Sequence, residues 1–265
     1  MPSATPSGPP SSPRRRSRGG VVAAVLVTLL LVVLLVGALR GGGGLPRIGA
    51  WTAGLTAPCG VVVEGEGGAD AVPLDREQAR AATSAAARVL RTGEEPAEAV
   101  ARLGVELPDG VLAAVLTARA GTALTCRSTE ADAGRQQITE TGLTPRAQAV
   151  REALEAEFGE LSLGGFAPGG VDSGHGAEST HYEGRAVDVF YRPVTEASLD
   201  QGWVLAQWLV AHGEGLTVQY VIFDDHWWGV RQSARGWQPY EAPGGSSDPV
   251  LRHRDHVHVD VVRGD

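Results

Sequence analysis

Residues 179–188 read STHYEGRAVD, and residues 254–259 read RDHVHV. The first stretch leads into an apolar segment, residues 186–191, whose length and composition predict a buried strand. The second leads into residues 256–262, where polar and apolar side chains alternate as they do in a half-buried strand. The histidines of the C-terminal half are therefore expected on or beside strands.

The segments around these two stretches predict a mixture of helices and strands. Thr144 followed by Pro145 is typical of a helix start, and residues 195–211 form the strongest helical pattern in the chain. Residues 217–223 and 227–231 predict two strands on either side of a short turn. This spacing favours an α+β fold with a mostly antiparallel sheet and flanking helices.

A small helical section is predicted upstream, at residues 71–130. Asp75 with Gln78 three positions later matches a capping box, and Asp109 is expected to cap a second helix at residues 110–120. We interpret this section as a compact spacer between a linker, residues 40–70, and a C-terminal domain, residues 140–265.

The distribution of charge argues against binding to nucleic acid. The chain has 23 basic residues, all arginine, and 31 acidic ones. Six of the arginines precede the first acid, Glu64, so 17 basic residues face 31 acidic ones in the remainder. A body with this acidity repels phosphate backbones.

An apolar run predicts a membrane anchor. Residues 21–39 read VVAAVLVTLLLVVLLVGAL, which at about 1.5 Å per residue spans roughly 30 Å of hydrocarbon. The arginine-rich tail, residues 1–20, predicts a single-pass protein of the cell membrane with a cytoplasmic N-terminus and an extracytoplasmic C-terminal domain. A cleaved signal peptide ending near Ala38 is the alternative, and it also exports the body.

The two cysteines, Cys59 and Cys126, form an even pair beyond this apolar run. In an oxidising compartment such a pair predicts a disulfide, which would stabilise the fold by about 4 kcal/mol in the chain-entropy model. A shared metal ion is the alternative, but all seven histidines lie at or after His175, which leaves no partner ligands nearby.

The pair of histidines near the end of the chain has a simple geometry. Residues two apart in a strand project from one face, so His256 and His258 are expected side by side while Val257 and Val259 face the core. Taken alone, such a pair can be metal ligands, a catalytic pair or exposed polar residues.

His181 and Asp188 could approach each other if the chain turned between them. A turn at Glu183 and Gly184 would make them partners across a hairpin, and glycine suits such a turn. Two imidazoles and a carboxylate are a known ligand set for catalytic zinc, whose fourth position stays open to water. Asp188 alone could equally cap a helix or pair with a base.

The pattern Ser-x-His-x-x-Gly-x-Ala-x-Asp, followed later by His-x-His, resembles that of the D-Ala-D-Ala metallopeptidases, whose fold is shared by the hedgehog signalling domain. Three stretches read LGGFAPGG at residues 163–170, HYEGRA at residues 181–186 and GWVLAQWL at residues 202–209. They resemble still more closely the C-terminal domain of a largely uncharacterised group of actinobacterial membrane proteins. The resemblance extends from about Leu143 to the end of the chain, and implies an α+β zinc peptidase fold there.

The resemblance also implies roles for the two stretches. His181, Asp188 and His258 match the ligands of the Zn²⁺ cofactor. Asp255 lies three residues before His258, where the family usually has its catalytic glutamate. The side chain of Asp255 is one methylene shorter than that of a glutamate. His256 matches a histidine that steadies the transition state.

Substrate contacts follow from the same comparison. Ser179 matches a serine that helps to hold substrate, and Arg185 or Arg254 could meet a peptide carboxylate, with ordinary salt bridges as the alternative. The expected function is a membrane-anchored zinc peptidase that hydrolyses peptide bonds in peptidoglycan stem peptides. A non-catalytic zinc module that binds wall peptides or a protein, or a vestigial site, are the alternatives.

Overall fold

The structure is a computed structural model that describes residues 57–65 and 68–265. These residues belong to one compact unit, Thr52–Asp265. The predicted tail, residues 1–20, and the predicted anchor, residues 21–39, lie outside the described part of the chain. Within that part, no helix has both the length and the apolar character needed to cross a membrane.

The described residues form an α+β fold, as predicted. In chain order the elements are β1 (Cys59–Gly65), β2 (Gly68–Leu74), α1 (Arg76–Thr92), α2 (Pro96–Ala101), α3 (Val111–Thr117), β3 (Thr125–Cys126), α4 (Pro145–Phe158), β4 (Leu163–Gly164), β5 (Ala186–Phe190), α5 (Glu196–His212), β6 (Val218–Phe223), β7 (His226–Gly229), β8 (Gln238–Pro239) and β9 (His256–Val261).

A small antiparallel sheet has the strand order β2-β1-β3. Cys59 of β1 lies directly opposite Cys126 of β3, and the predicted disulfide joins them with their Cα atoms 4.0 Å apart. Strand β1 falls inside residues 40–70, which the sequence predicts to be a linker. It forms there because Val61 is buried and packs in the core.

The larger sheet has six strands, all paired antiparallel, in the order β4-β5-β9-β6-β7-β8. Strand β9 lies at its centre, between β5 and β6, although it comes last in sequence. In this register Asp188 of β5 lies opposite His258 of β9, and Ile222 of β6 lies on the other side of the same histidine. The residues of β9 that alternate with the histidines, Val257 and Val259, are buried in the core, as predicted.

Helix α5 is covered on two sides. It packs against β6 and β9 of the large sheet and also against α1, α3 and β3 of the upstream section. Its residues 202–211 are all buried. Gln207, fully buried, accepts a hydrogen bond from Leu124 N at 2.8 Å and donates to Val115 O at 2.9 Å. Residues 71–130 and 140–265 therefore share one core.

Three predicted helix starts are confirmed. Asp75 caps α1 and forms a capping box with Gln78, while Thr144 and Thr195 cap α4 and α5. The start of α3 differs from the prediction. Its cap is Gly110 in a left-handed conformation, φ 77°, with no side-chain hydrogen bond, so Asp109 does not cap it.

The predicted hairpin between His181 and Asp188 is wrong. Residues Thr180–Glu183 form a 3-10 turn that ends at Gly184 in a left-handed conformation, φ 62°. The glycine does reverse the chain, but it ends this helical turn and does not join two paired strands. Strand β5 pairs with β4 and β9 instead.

Candidate metal centre

Three side chains from three separate elements converge on one face of the large sheet. His181 comes from the 3-10 turn, Asp188 from β5 and His258 from β9. Nδ1 of His258 lies 3.0 Å from Oδ1 of Asp188 and 3.1 Å from Nε2 of His181, and Nε2 of His181 lies 3.3 Å from the same Asp188 oxygen. All three residues are buried. Three potential ligand atoms therefore form a nearly equilateral triangle.

The orientation of the His181 ring is fixed by a hydrogen bond on the side that faces away from the cluster. Its Nδ1 lies 2.7 Å from the carbonyl oxygen of Gly165, and a carbonyl accepts only, so Nδ1 carries the proton. Nε2, which faces the cluster, is then left with its lone pair. Ligand histidines in metal sites commonly donate their other N–H to such an acceptor, which fixes the tautomer and the ring.

Gly165 is required where the backbone passes this close to the ring. A Cβ at position 165 would lie 2.2 Å from Cε1 and 2.4 Å from Nδ1 of His181, and 3.0 Å from Oδ2 of Asp188. Its φ of +79° also belongs to the left-handed region that favours glycine. The loop before β5 therefore supports the cluster with its backbone.

The surroundings of the cluster favour the ionised form of Asp188 and the neutral form of His258. Burial alone would raise the pKa of Asp188, but the imidazoles of His181 and His258 beside it hold that pKa well below its usual range. Burial lowers the pKa of His258, against the opposing effect of Asp188. Deprotonated carboxylate and neutral imidazole are the forms that bind a metal ion.

The residues expected to catalyse form a chain beside the triangle. Nδ1 of His256 lies 2.7 Å from Oδ1 of Asp255, and Nε of Arg192 donates to Oδ2 of Asp255 at 2.6 Å. Nε2 of His256 lies 3.8 Å from Oδ1 of Asp188. Burial by itself raises the pKa of Asp255, yet the hydrogen bonds from His256 and Arg192 lower it overall. Asp255 thus holds His256, whose free nitrogen faces the cluster.

Two further histidines lie beside the cluster, and the sequence motifs predict neither of them. The ring of His175 stacks on His181 with centroids 4.1 Å apart. His253 lies 4.8 Å from His256 between ring centroids, and burial lowers its pKa to about 3. His175 follows Gly174 in an irregular loop, where no periodicity predicts a direction. The one available signal was their position close to the two motifs.

The predicted substrate contacts have structural partners. Oγ of Ser179 accepts a hydrogen bond from the backbone of His181 at 3.3 Å. Arg185 is 8% exposed and donates to Glu183 at 2.6 Å and to the carbonyl of Val261 at 2.6 Å. Arg254 pairs with Asp224 at 3.0 Å, which agrees with the salt-bridge alternative. Roles for Ser179 and Arg185 in binding substrate stay predictions.

A second group that could hold a metal ion shares two residues with the triangle. His175, His181 and Asp188 each offer one ligand atom, and these atoms lie within 4.8 Å of one another. The fold and the site therefore define a class of protein: an α+β unit with a cluster of histidines and one carboxylate that could hold a metal ion.

A protein-family model described as VldE, C-terminal domain, matches residues 139–250, less than half of the chain. The matched residues include His175, His181 and Asp188, and end before β9 with its two histidines. Neither the curated proteins nor the solved structures contain a match to this chain.

Proposed function

We propose that this protein is a zinc-dependent peptidase of the D-Ala-D-Ala metallopeptidase type, with the ion held by His181, Asp188 and His258. The observation that carries the proposal is the spacing of the three ligand atoms, 3.0, 3.1 and 3.3 Å apart. Donor atoms about 2.0–2.1 Å from a tetrahedral zinc lie about 3.3 Å from one another, so the triangle suits one face of such a site.

The ligand set also suits catalysis. Zinc held by three protein ligands would polarise a peptide carbonyl and lower the pKa of a water molecule towards about 7. Asp188 would supply the negative charge, and the hydrogen bond from His181 to Gly165 would keep that ring in its ligating orientation.

His256 is the acid–base residue in this proposal, in place of Asp255. Both oxygens of Asp255 are engaged, one by His256 and the other by Arg192. Nε2 of His256 is free to accept a proton from the attacking water and to return it to the leaving amine. Asp255 would hold Nδ1–H of His256, in the way that a carboxylate orients the base of a catalytic triad.

The proposed substrates are peptide bonds in peptidoglycan stem peptides, and the proposed location is outside the cell membrane. The motif resemblance supports the substrate. The apolar run at residues 21–39, preceded by arginines, supports a membrane anchor, and the disulfide between Cys59 and Cys126 supports an oxidising compartment.

The test is a metal analysis of the purified full-length protein, followed by mass spectrometry of stem peptides incubated with it. We expect one zinc ion per chain and release of a peptide or amino acid. His258→Ala and Asp188→Ala should lose most of the zinc and the turnover, while His226→Ala, outside the cluster, should retain both. A parent protein without zinc, or His258→Ala with full zinc, would contradict the proposal.

The acid–base assignment is tested with His256→Gln and Asp255→Asn at matched zinc occupancy. We expect His256→Gln to lose about 10²-fold or more in kcat, the usual scale for an acid–base group, and Asp255→Asn to lose less. Asp224→Asn is the control, because Asp224 is also paired with an arginine but lies outside the cluster. A larger loss in Asp255→Asn than in His256→Gln would return the proton transfer to Asp255.

A non-catalytic module that binds wall peptides is the second candidate. The engagement of both Asp255 oxygens favours it, because the carboxylate at the family's base position is then not free to take a proton. Full zinc occupancy and binding of stem peptides without turnover would identify this function.

A further inference from the structure

The loop between β4 and β5 brings an exposed histidine against the buried triangle. His175 is exposed, yet its ring lies parallel to that of His181, with centroids 4.1 Å apart and 21° between the planes. One of its ring nitrogens lies within 4.8 Å of ligand atoms of both His181 and Asp188. An exposed histidine at this distance from two buried ligands can approach the same ion.

The backbone at His175 is held in place while its side chain is not. The hydroxyl of Tyr182 accepts a hydrogen bond from the backbone N–H of His175 at 3.0 Å and donates to its carbonyl at 2.7 Å. Tyr182 belongs to the same 3-10 turn as His181. Among the described residues, no hydrogen bond to the ring of His175 is found, so rotation of the ring breaks none.

The observed stacking and ligation are two different positions of this ring. The lone pair of an imidazole nitrogen lies in the ring plane, so two nearly parallel rings cannot both direct a lone pair at one ion. A rotation of the His175 side chain would tilt its ring out of the stack and point a nitrogen into the cluster. The backbone clamp keeps that nitrogen within reach.

We propose that His175 is a fourth, exchangeable ligand of the metal centre, which closes the coordination sphere in the resting protein and leaves it when a substrate or another donor enters. The inference rests on the proposed metal site. Three buried residues hold the ion permanently, and the exposed fourth ligand competes with substrate for the remaining position. Four protein ligands are typical of closed sites and three of open ones.

The test uses the full-length protein loaded with Co²⁺, whose visible spectrum reports the number and type of ligands. His175→Phe preserves an aromatic ring for stacking on His181 but removes both nitrogens. His212→Phe is the matched control, because His212 also stacks on an aromatic ring, that of Trp208, with centroids 4.2 Å apart, and lies outside the cluster. Metal affinity is measured by competition with a chromophoric chelator, and binding of acetohydroxamate, a small metal-binding probe, by the change in the cobalt spectrum.

We expect opposite changes in the two affinities. His175→Phe should bind Co²⁺ roughly 10-fold more weakly or worse, a scale typical of lost support at a metal site, and should show an altered spectrum. It should bind acetohydroxamate at least several-fold more tightly, because no protein ligand has to leave. Tyr182→Phe should shift both affinities in the same directions by less, and His212→Phe should match the parent.

Equal cobalt affinity, equal spectra and equal hydroxamate binding in the parent and His175→Phe would overturn the inference. So would parallel losses of both affinities, which would indicate that the ring only supports the fold of the loop. If the parent protein binds cobalt but cleaves no stem peptide, the proposed peptidase function is contradicted while the proposed role of His175 still stands. A parent that binds no metal would remove both.

Discussion

The absence of a side chain at residue 165 allows the loop before β5 to carry its carbonyl to within 2.7 Å of His181. We expect Gly165→Ala to push the imidazole away, since a Cβ there would lie 2.2 Å from the ring. Metal affinity should fall by about 10-fold or more, as it does when a supporting hydrogen bond of a ligand is lost.

Gly169→Ala is the control for this substitution. Gly169 lies in the same loop with a similar φ of +82°, but an added Cβ would meet nothing within 4 Å. Both variants carry the backbone cost of a positive φ, so a chelator competition assay isolates the steric effect. Equal metal affinity in the two variants would show that Gly165 is not needed for its close approach to His181.

His212, in the last turn of α5, links stability to pH. Burial, with a smaller effect of Arg80, lowers its pKa to about 4, against 6.5 for an ordinary histidine. The unfolded chain therefore binds a proton more readily between these two values. The stabilisation is complete above about pH 6.5 and is lost as the pH falls towards 4.

At pH 5 this loss should reach about 1–2 kcal/mol of unfolding free energy. Urea denaturation of the parent and of His212→Phe at pH 7 and pH 5 isolates the contribution, because the remaining histidines are common to both proteins. The difference in unfolding free energy between the two proteins should change by that amount between pH 7 and pH 5. A pH-independent gap would show that His212 keeps an ordinary pKa in the folded state.

At the scale of single elements, the capping box at the start of α1 stabilises that helix. The Asp75 side chain accepts a hydrogen bond from Gln78 N at 2.8 Å, and Gln78 returns one to Asp75 N at 3.1 Å. Asp75→Ala should cost about 1 kcal/mol of unfolding free energy. Asp109→Ala provides the control because Gly110 caps α3 without it, so denaturation should give a change near zero.

The elements differ in how far the sequence predicts them. Capping residues such as Thr144 and Thr195 act on their own neighbours, so their helices begin where the sequence predicts. The sequence predicts a turn at Gly184, but a left-handed glycine ends a 3-10 turn as readily as it joins two strands. Only long-range pairing decides between these outcomes, and a local pattern does not contain it.

The candidate site shows the same division. His181, Asp188 and His258 were predicted together, because the spacing of the motifs resembles a known family, and the structure brings them together. The contact of Arg192 with Asp255 joins two irregular segments 63 residues apart in sequence, and Asp255 lies directly before β9. The approach of His175 depends on an irregular loop clamped by Tyr182. Neither contact has a periodicity by which the sequence could predict it.

At the scale of the whole molecule, the disulfide closes the upstream section onto the shared core. Cys59 and Cys126 are separated by 67 residues, for which the chain-entropy model gives about 4 kcal/mol. The double substitution Cys59→Ala and Cys126→Ala should lower the unfolding free energy by about that amount, as measured in urea.

Unfolding of the parent protein and of the double substitution, followed by two spectroscopic probes, tests whether the upstream and C-terminal sections unfold together. Helix α5 packs against both, so the fluorescence of the six tryptophans and far-ultraviolet dichroism should give one coincident transition. Two separated transitions in the parent protein would show that the upstream section is stable by itself. The parent protein treated with a reducing agent should behave like the double substitution.

The central position of β9 imposes an order on assembly. Strands β4 and β5 on one side, and β6, β7 and β8 on the other, precede β9 along the chain. Within the described sheet, β9 is the strand that pairs with both sides. A nascent chain that has emerged only as far as residue 250 thus holds two half-sheets and three of the four proposed ligands, His175, His181 and Asp188. Strand β9 joins the halves and delivers His258 in one step, so on the proposed function the metal site would be completed together with the sheet.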